Sequence, residues 1–331
     1  MTSSAASELP GIGEVRAAAA RLAGRIVATP LIESPLLNAR LGLRLLVKAE
    51  TLQRTGSFKF RGAMNALLQL DEEQRRAGVV AFSSGNHAQG VAAAAQLLGI
   101  PAIIVMPADA PAIKVANTRG YGADVVLYDR WRESREAIGA RIAAERGASL
   151  VPPFDDARVI AGQGTAGLEI AAQATALGAR LDALVVPVSG GGLVTGCALA
   201  LAAESPATKV YTAEPEAADD WRRSLASGQR LANDPAARSI CDALLAPMPG
   251  EITFALGQRL LAGGLAVSDG EVLHAIAVAF ADLKLVVEPG GAAALAAVLA
   301  GKLDAHGKTV AVIASGGNVD RDVFAQALGA G

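Results

Sequence analysis

Short runs rich in Val, Ile and Ala alternate along this chain with longer alanine-rich segments of helical period, and that alternation restricts the fold more than any other feature. The runs are Leu45–Lys48, Val79–Ser83, Ala102–Met106, Asp124–Tyr128, Ala183–Val188, Val210–Ala213 and Thr309–Ala314. They read as continuous apolar stretches without in–out alternation, so both faces of the sheets they build are covered. Between them lie helical patterns such as Asn86–Leu98, Glu133–Arg146 and Thr165–Leu177. The order predicts an α/β architecture with largely parallel sheets. Gly99 predicts a helix end, with Pro101 opening the next strand, and Asp320 caps a last short helix. The charge-poor stretch Ala281–Gly301 reads as a buried helix pair.

Composition removes whole classes of function. With 331 residues, 52% apolar and 19% charged, the chain has ample core material for two lobes and is not a disordered protein. Lys and Arg total 30 against 32 for Asp and Glu, so no electrostatic feature calls for a nucleic-acid or membrane partner. Cys197 and Cys241 cannot build a disulfide framework and suit a reducing cytoplasm. The three histidines (His87, His274, His306) have no His or Cys neighbour at metal-ligand spacing. No basic-then-apolar leader is read at the N-terminus, and Ala183–Val188 is too short to cross a bilayer. The expectation is a soluble cytoplasmic protein.

Four segments place glycine or polar residues where a parallel sheet puts its ligand, beyond the carboxyl ends of strands. In Ser57-Phe58-Lys59-Phe60-Arg61-Gly62, a lysine stands between two phenylalanines. Desolvation there would favour the free, nucleophilic amine, although a lysine that snorkels from an amphipathic helix would look the same. Ser83-Ser84-Gly85-Asn86-His87 sets hydroxyls, an amide and free N–H groups at a helix start, a carboxylate or phenolate site. Helix capping accounts for one such polar residue, not for the succession. Ser189-Gly190-Gly191-Gly192-Leu193 lets backbone N–H groups surround a phosphate, or makes a tight strand-to-helix turn. It is neither a Walker A loop nor a dinucleotide fingerprint. Ser315-Gly316-Gly317-Asn318 offers a hydroxyl to a heteroaromatic nitrogen, or is another turn. Together the four supply an amine nucleophile, a phosphate cradle, a phenolate partner and a ring-nitrogen partner, the set that pyridoxal phosphate requires.

In the order and spacing of these motifs, from about Pro30 to Asp322, the chain resembles the fold type II pyridoxal-phosphate enzymes, in the serine/threonine dehydratase and serine racemase branch. The resemblance implies a tryptophan synthase β-like fold: two open, mostly parallel twisted sheets flanked by helices. Residues 1–75 with 154–331 would form a large cofactor-binding domain, and 76–153 a small mobile one. It also implies a homodimer.

By that resemblance Lys59 carries the cofactor and acts as the catalytic base, Phe58 packs near the ring and Asn86 meets the phenolic oxygen. Gly190, Gly191, Gly192 and Leu193 hold the phosphate, and Ser315 faces the pyridine nitrogen. Ser83, Ser84 and His87 receive the substrate carboxylate. Ser84 would stand opposite Lys59 in racemase-like members, where it exchanges a proton on the other face; many threonine dehydratases have alanine there. Arg135, in Glu133-Ser134-Arg135-Glu136, matches a position that reaches a second anionic group of the substrate, or pairs along its helix with Glu133 or Glu136. Glu214, Asp220 and the Ala218 carbonyl match a structural site for a divalent cation, Mg2+ or Ca2+. Where the racemases carry a serine after Ser239–Asp242, this chain has Ala246, which counts against serine racemisation as the main activity.

The implied reaction is α,β-elimination from a β-hydroxy α-amino acid of the threonine/serine or threo-3-hydroxyaspartate type, giving a 2-oxo acid and ammonia. A racemase of the same branch is the alternative. The chain ends soon after the Ser315 loop, so an appended regulatory domain with isoleucine feedback is not expected.

Overall fold

A computed structural model describes residues 9–83, 85–110 and 112–329; Ser84 lies outside them. Among the described residues the strands are β1 (Leu31–Ile32), β2 (Arg44–Ala49), β3 (Val79–Phe82), β4 (Ala102–Pro107), β5 (Asp124–Tyr128), β6 (Ser149–Leu150), β7 (Ala183–Pro187), β8 (Lys209–Pro215), β9 (Leu261–Val267) and β10 (Thr309–Ala314). One sheet runs β1-β2-β10-β7-β8-β9 and is parallel except for its edge strand β1. The other runs β5-β4-β3-β6, all parallel. The α/β class expected from the alternation is therefore present as two sheets with helices packed between and around them.

The apolar runs form strands because they are buried on both faces: Leu184, Val185, Val186, Val310, Ala311 and Ile313 have no exposed surface. Three strands were missed. β1 and β6 have two residues each, too few to show a period. β9 reads Leu-Ala-Gly-Gly-Leu-Ala-Val, and its central glycines conceal it.

Two helical expectations need correction. The helix expected from Thr165 begins at Ala157, where the Asp156 carboxylate accepts the Arg158 and Val159 N–H groups. Gly162, Gly164 and Gly167 hid its first turns. They are there for close packing: a Cβ at Gly162 would lie 2.7 Å from the Arg61 carbonyl oxygen, and one at Gly164 2.7 Å from that of Gly196. In Ala281–Gly301 there is one whole helix, Pro289–Leu299, preceded by the end of the helix Asp269–Leu283 and an extended link.

The helix Lys59–Leu68 lies between the sheets, against Asn86–Leu98 on one side and Ala157–Ala176 on the other. Beneath it the fully buried Arg61 guanidinium bridges Glu50 and Glu169, with Lys48 bonded to Glu169 and to the Thr29 carbonyl. This network fixes the helix whose first residue is Lys59.

Candidate active site

The expected residues gather around one cavity of about 150 Å3, formed where the carboxyl ends of strands from both sheets face each other. Phe58, Lys59, Ser83, Asn86, His87, Arg135, Gly190, Gly191, Gly192, Leu193 and Ser315 all line it. Glu214, Ala218 and Asp220 are elsewhere, where β8 leads into the helix Asp220–Ser227.

Lys59 opens its helix and its Nζ donates to the Pro153 carbonyl at 2.8 Å. The ammonium also lies 5.2 Å from the centre of the Phe58 ring. Burial disfavours its charged form and lowers its pKa to about 8, with the Glu288 carboxylate pulling the other way. The loop before it is tied to the end of β10: the Phe58 N–H donates to the Ser315 carbonyl at 3.1 Å, and Ser57 pairs with Gly316. An amine and a hydroxyl 256 positions apart in sequence thus line the same cavity.

The triglycine turn leads from β7 into the helix Gly192–Glu204. The N–H groups at that helix start have no carbonyl of their own helix to meet, so they are free for an anion. Gly191 has φ 103°, which favours glycine, and a Cβ there would lie 2.2 Å from the Trp221 ring. A Cβ at Gly190 would lie 2.1 Å from Phe154. Phe154 and Trp221 close the back of the turn, and the Trp221 indole N–H donates to the Ser189 carbonyl.

Asn86 opens the helix Asn86–Leu98. His87, beside it, is buried, and its Nε2 lies 2.9 Å from the Val151 carbonyl oxygen. Burial and the nearby Lys59 lower its pKa to about 3, so the imidazole is neutral. Ser83 accepts the Gly85 N–H. Arg135 lies 5.5 Å over the Phe82 ring, with its Nε donating to Glu136 at 2.7 Å, and borders the same cavity.

The family model for the pyridoxal-phosphate dependent enzymes matches residues 22–316. The chain belongs to that family. An L-threo-3-hydroxyaspartate ammonia-lyase of Saccharomyces cerevisiae is 45% identical over 318 residues, covering 96% of both chains. A serine racemase of Schizosaccharomyces pombe is 41% identical, covering 97% of this chain and 98% of its own. Among solved structures, a T.th. threonine deaminase is 47% identical with a TM-score of 0.89, covering 94% of this chain and 99% of that one. Maize serine racemase is 39% identical with a TM-score of 0.91, covering 97% of each.

In this pyridoxal-phosphate dependent enzyme the residues present fit the cofactor by their chemistry. A buried amine, a helix start free for a phosphate, an amide and a buried hydroxyl converge on one cavity. Several residues of the site escaped the sequence reading. Phe154 and Trp221 act on the pocket through long-range packing behind the triglycine turn that no local pattern records. Glu288 did leave a signal. It is the one charge between Leu285 and Ala300, a stretch read only as buried helix. The cavity also receives Lys114 and Asp242, from opposite sides.

Proposed function

We propose that this enzyme is an ammonia-lyase that removes water from a β-hydroxy α-amino acid, of the threo-3-hydroxyaspartate or threonine/serine type, and releases a 2-oxo acid and ammonia. The observation that carries the reading is the buried Lys59 amine, facing a cavity that also holds the free N–H groups after Gly191. The similarity to an L-threo-3-hydroxyaspartate ammonia-lyase over nearly the whole chain supports the same class of reaction.

When bound, pyridoxal phosphate supplies an electron sink that acidifies the α-C–H bond of an amino acid joined to it. Lys59 is the base: its free amine takes the α-proton, and burial, by lowering the pKa to about 8, makes that form accessible near neutral pH. Gly190, Gly191, Gly192 and Leu193 would hold the phosphate, Asn86 the phenolic oxygen and Ser315 the pyridine nitrogen. The Ser315 hydroxyl, 5% exposed, carries no positive charge to the ring. Ser83, Ser84 and His87 receive the substrate carboxylate, and the guanidinium of Arg135 takes a second one. The β-hydroxyl leaves as water by taking up a proton, the equivalent of the one Lys59 removed, and the enamine product adds a water molecule to give the 2-oxo acid and ammonia.

Residues 76–153 act as a lobe that closes over the site and excludes water, alongside residues 1–75 and 154–331. Exposed Leu52 and Val286, on segments that meet at Gly317, offer apolar surface to a second copy in a homodimer. The two free, buried cysteines suit a cytoplasmic location. No helix among the described residues is long and apolar enough to cross a membrane.

A divalent cation held by Glu214, Asp220 and the Ala218 carbonyl belongs to the same proposal. Both carboxylates are buried, and Asp220 Oδ2 has no partner. Among the described residues no group of three or more His, Cys, Asp or Glu side chains gathers as a metal site. Glu214 already accepts the Trp221 and Arg222 N–H groups, so the open position is Asp220 Oδ2; with the Ala218 carbonyl and water these would make a hard oxygen set suited to Mg2+ or Ca2+.

The test is 2-oxo acid release from a panel of hydroxy amino acids. Turnover by wild type and none by Lys59→Ala is expected; full turnover by that variant refutes the assigned base. Arg135→Ala should lower kcat/KM for hydroxyaspartate about 100-fold relative to threonine, the worth of a charge-assisted pair. An unchanged ratio refutes the second-carboxylate role. Chiral analysis of unreacted substrate detects racemisation, which would place Ser84 at the centre of the chemistry.

A further inference from the structure

The triad Asn318–Asn86–Glu288 forms a hydrogen-bonded chain along one wall of the cavity. Asn318 Nδ2 donates to the Thr55 carbonyl at 2.9 Å and to Asn86 Oδ1 at 2.8 Å. With its oxygen thus engaged, Asn86 uses Nδ2 to donate to Glu288 Oε1 at 2.5 Å. An amide nitrogen has two hydrogens. One goes to Glu288, and the other is left for the cavity that Asn86 lines.

Glu288 is itself unusual. It is the N-cap of the helix Pro289–Leu299, yet its carboxyl makes no capping bond to that helix. The side chain turns instead to the site, where it is 3% exposed and lines the cavity, with Oε2 lacking any partner. Gly316 makes room for it: a Cβ there would lie 2.1 Å from Glu288 Oε1. Such a group has a ligand-facing purpose or is a costly defect.

We propose that Glu288 is a positioning residue for the cofactor's phenolic oxygen: it takes one amide hydrogen of Asn86, aims the other into the cavity, and through its charge sets how tightly the bound cofactor holds a proton. The inference rests on the cofactor placement proposed above. Around the carboxyl stand Lys114 from the helix Ala112–Gly120, Lys59, Asp242 and Asp320. Burial raises its pKa to about 7, Lys114 opposes that and Asp242 adds to it, so the carboxyl changes charge in the working range. When ionised, it makes a nearby phenolate less favourable and so raises the proton affinity of the cofactor.

The experiment is an absorbance titration of the bound cofactor against pH in wild type, Glu288→Gln and Glu288→Ala. Glu288→Gln keeps an oxygen for Asn86 but removes the charge. Its spectral midpoint should fall by ~1 pH unit or more, with cofactor affinity nearly kept. Glu288→Ala should lose both, with a clearly weaker Kd for the cofactor. A midpoint unmoved in Glu288→Gln overturns the proposal. A second reading needs no variant: coupling is reciprocal, so adding pyridoxal phosphate to the apoprotein must shift the titration of the Glu288 carboxyl, followed by carbon-13 NMR. An unshifted titration also overturns it. If wild type itself never binds the cofactor, the functional reading fails instead, which separates the two.

Discussion

The Lys114 ammonium lies 3.2 Å from the Asp242 carboxylate and joins the helix Ala112–Gly120, beside the small sheet, to the turn Asp242–Leu244 of the large one. A second crossing is made by Arg238, 5.7 Å over the Trp131 ring. Asp242 is half exposed, so its pair with Lys114 contributes on the order of 1 kcal/mol, about a fivefold bias toward a closed cavity. Asp242→Asn should therefore raise the substrate KM about fivefold while kcat changes less. Trp131 is 74% exposed and would report the proposed closure: its fluorescence should respond to substrate in wild type and less in the variant. Equal KM values would show that the pair does not hold the lobes.

If Lys59 holds the cofactor as proposed, its capture depends on pH through that amine. The free amine is the reactive form, and burial places its pKa at about 8. The rate at which apoprotein takes up pyridoxal phosphate should rise about tenfold per pH unit below 8 and level off above it. A midpoint near the ordinary lysine value of 10.5 would mean a solvated amine. The stability effect has a definite sign. Between pH 8 and 10.5 the unfolded chain keeps a proton that the folded one has lost, so apoprotein gains stability as pH rises across that window. Lys59→Met should lack that gain in denaturant titrations.

The Asp220 carboxyl behaves oppositely. Burial lifts it from the ordinary 3.8 to about 7, although the Asn233 hydrogen bond pulls it down. Glu214 is lifted by burial and by Asp220. Folded protein then holds a proton that unfolded chain releases, and stability falls as pH rises from about 4 to 7. The proposed cation would replace that proton. Mg2+ or Ca2+ at 100 times its Kd should add about 2.7 kcal/mol at pH 8 and little at pH 5.5. Asp220→Asn should abolish the cation response, and a response retained in that variant would assign the ion elsewhere.

Beneath the catalytic helix, Arg61→Met would leave Glu50 buried and unpaired except for the Thr29 hydroxyl. The expected loss is about 3–5 kcal/mol in urea unfolding. Arg61→Lys should recover little of it, because one ammonium cannot span both carboxylates as the planar fork does. Near-wild-type stability in either variant would mean that the network contributes nothing to folding.

Seven of the strands and the four site motifs were legible because each is local: a buried apolar run, then a turn whose polar groups cannot all be caps. Lys59, Asn86, Gly191 and Ser315 could be picked out that way. What escaped depends on distance through the fold. Phe154 and Trp221 close the back of the triglycine turn from separate segments, and the glycines of Ala157–Ala176 look like helix breakers until their neighbouring helices are in place. Glu288 was visible as an isolated acid, but only Asn86, about 200 positions away, gives it a meaning.

The last strand in sequence, β10, occupies the middle of the large sheet, hydrogen-bonded to β2 on one side and β7 on the other. A chain cut short before Thr309 would lack the strand that joins β2 to β7, leaving the two halves of the large sheet without their shared neighbour. Ser315, which follows that strand directly, would be lost with it.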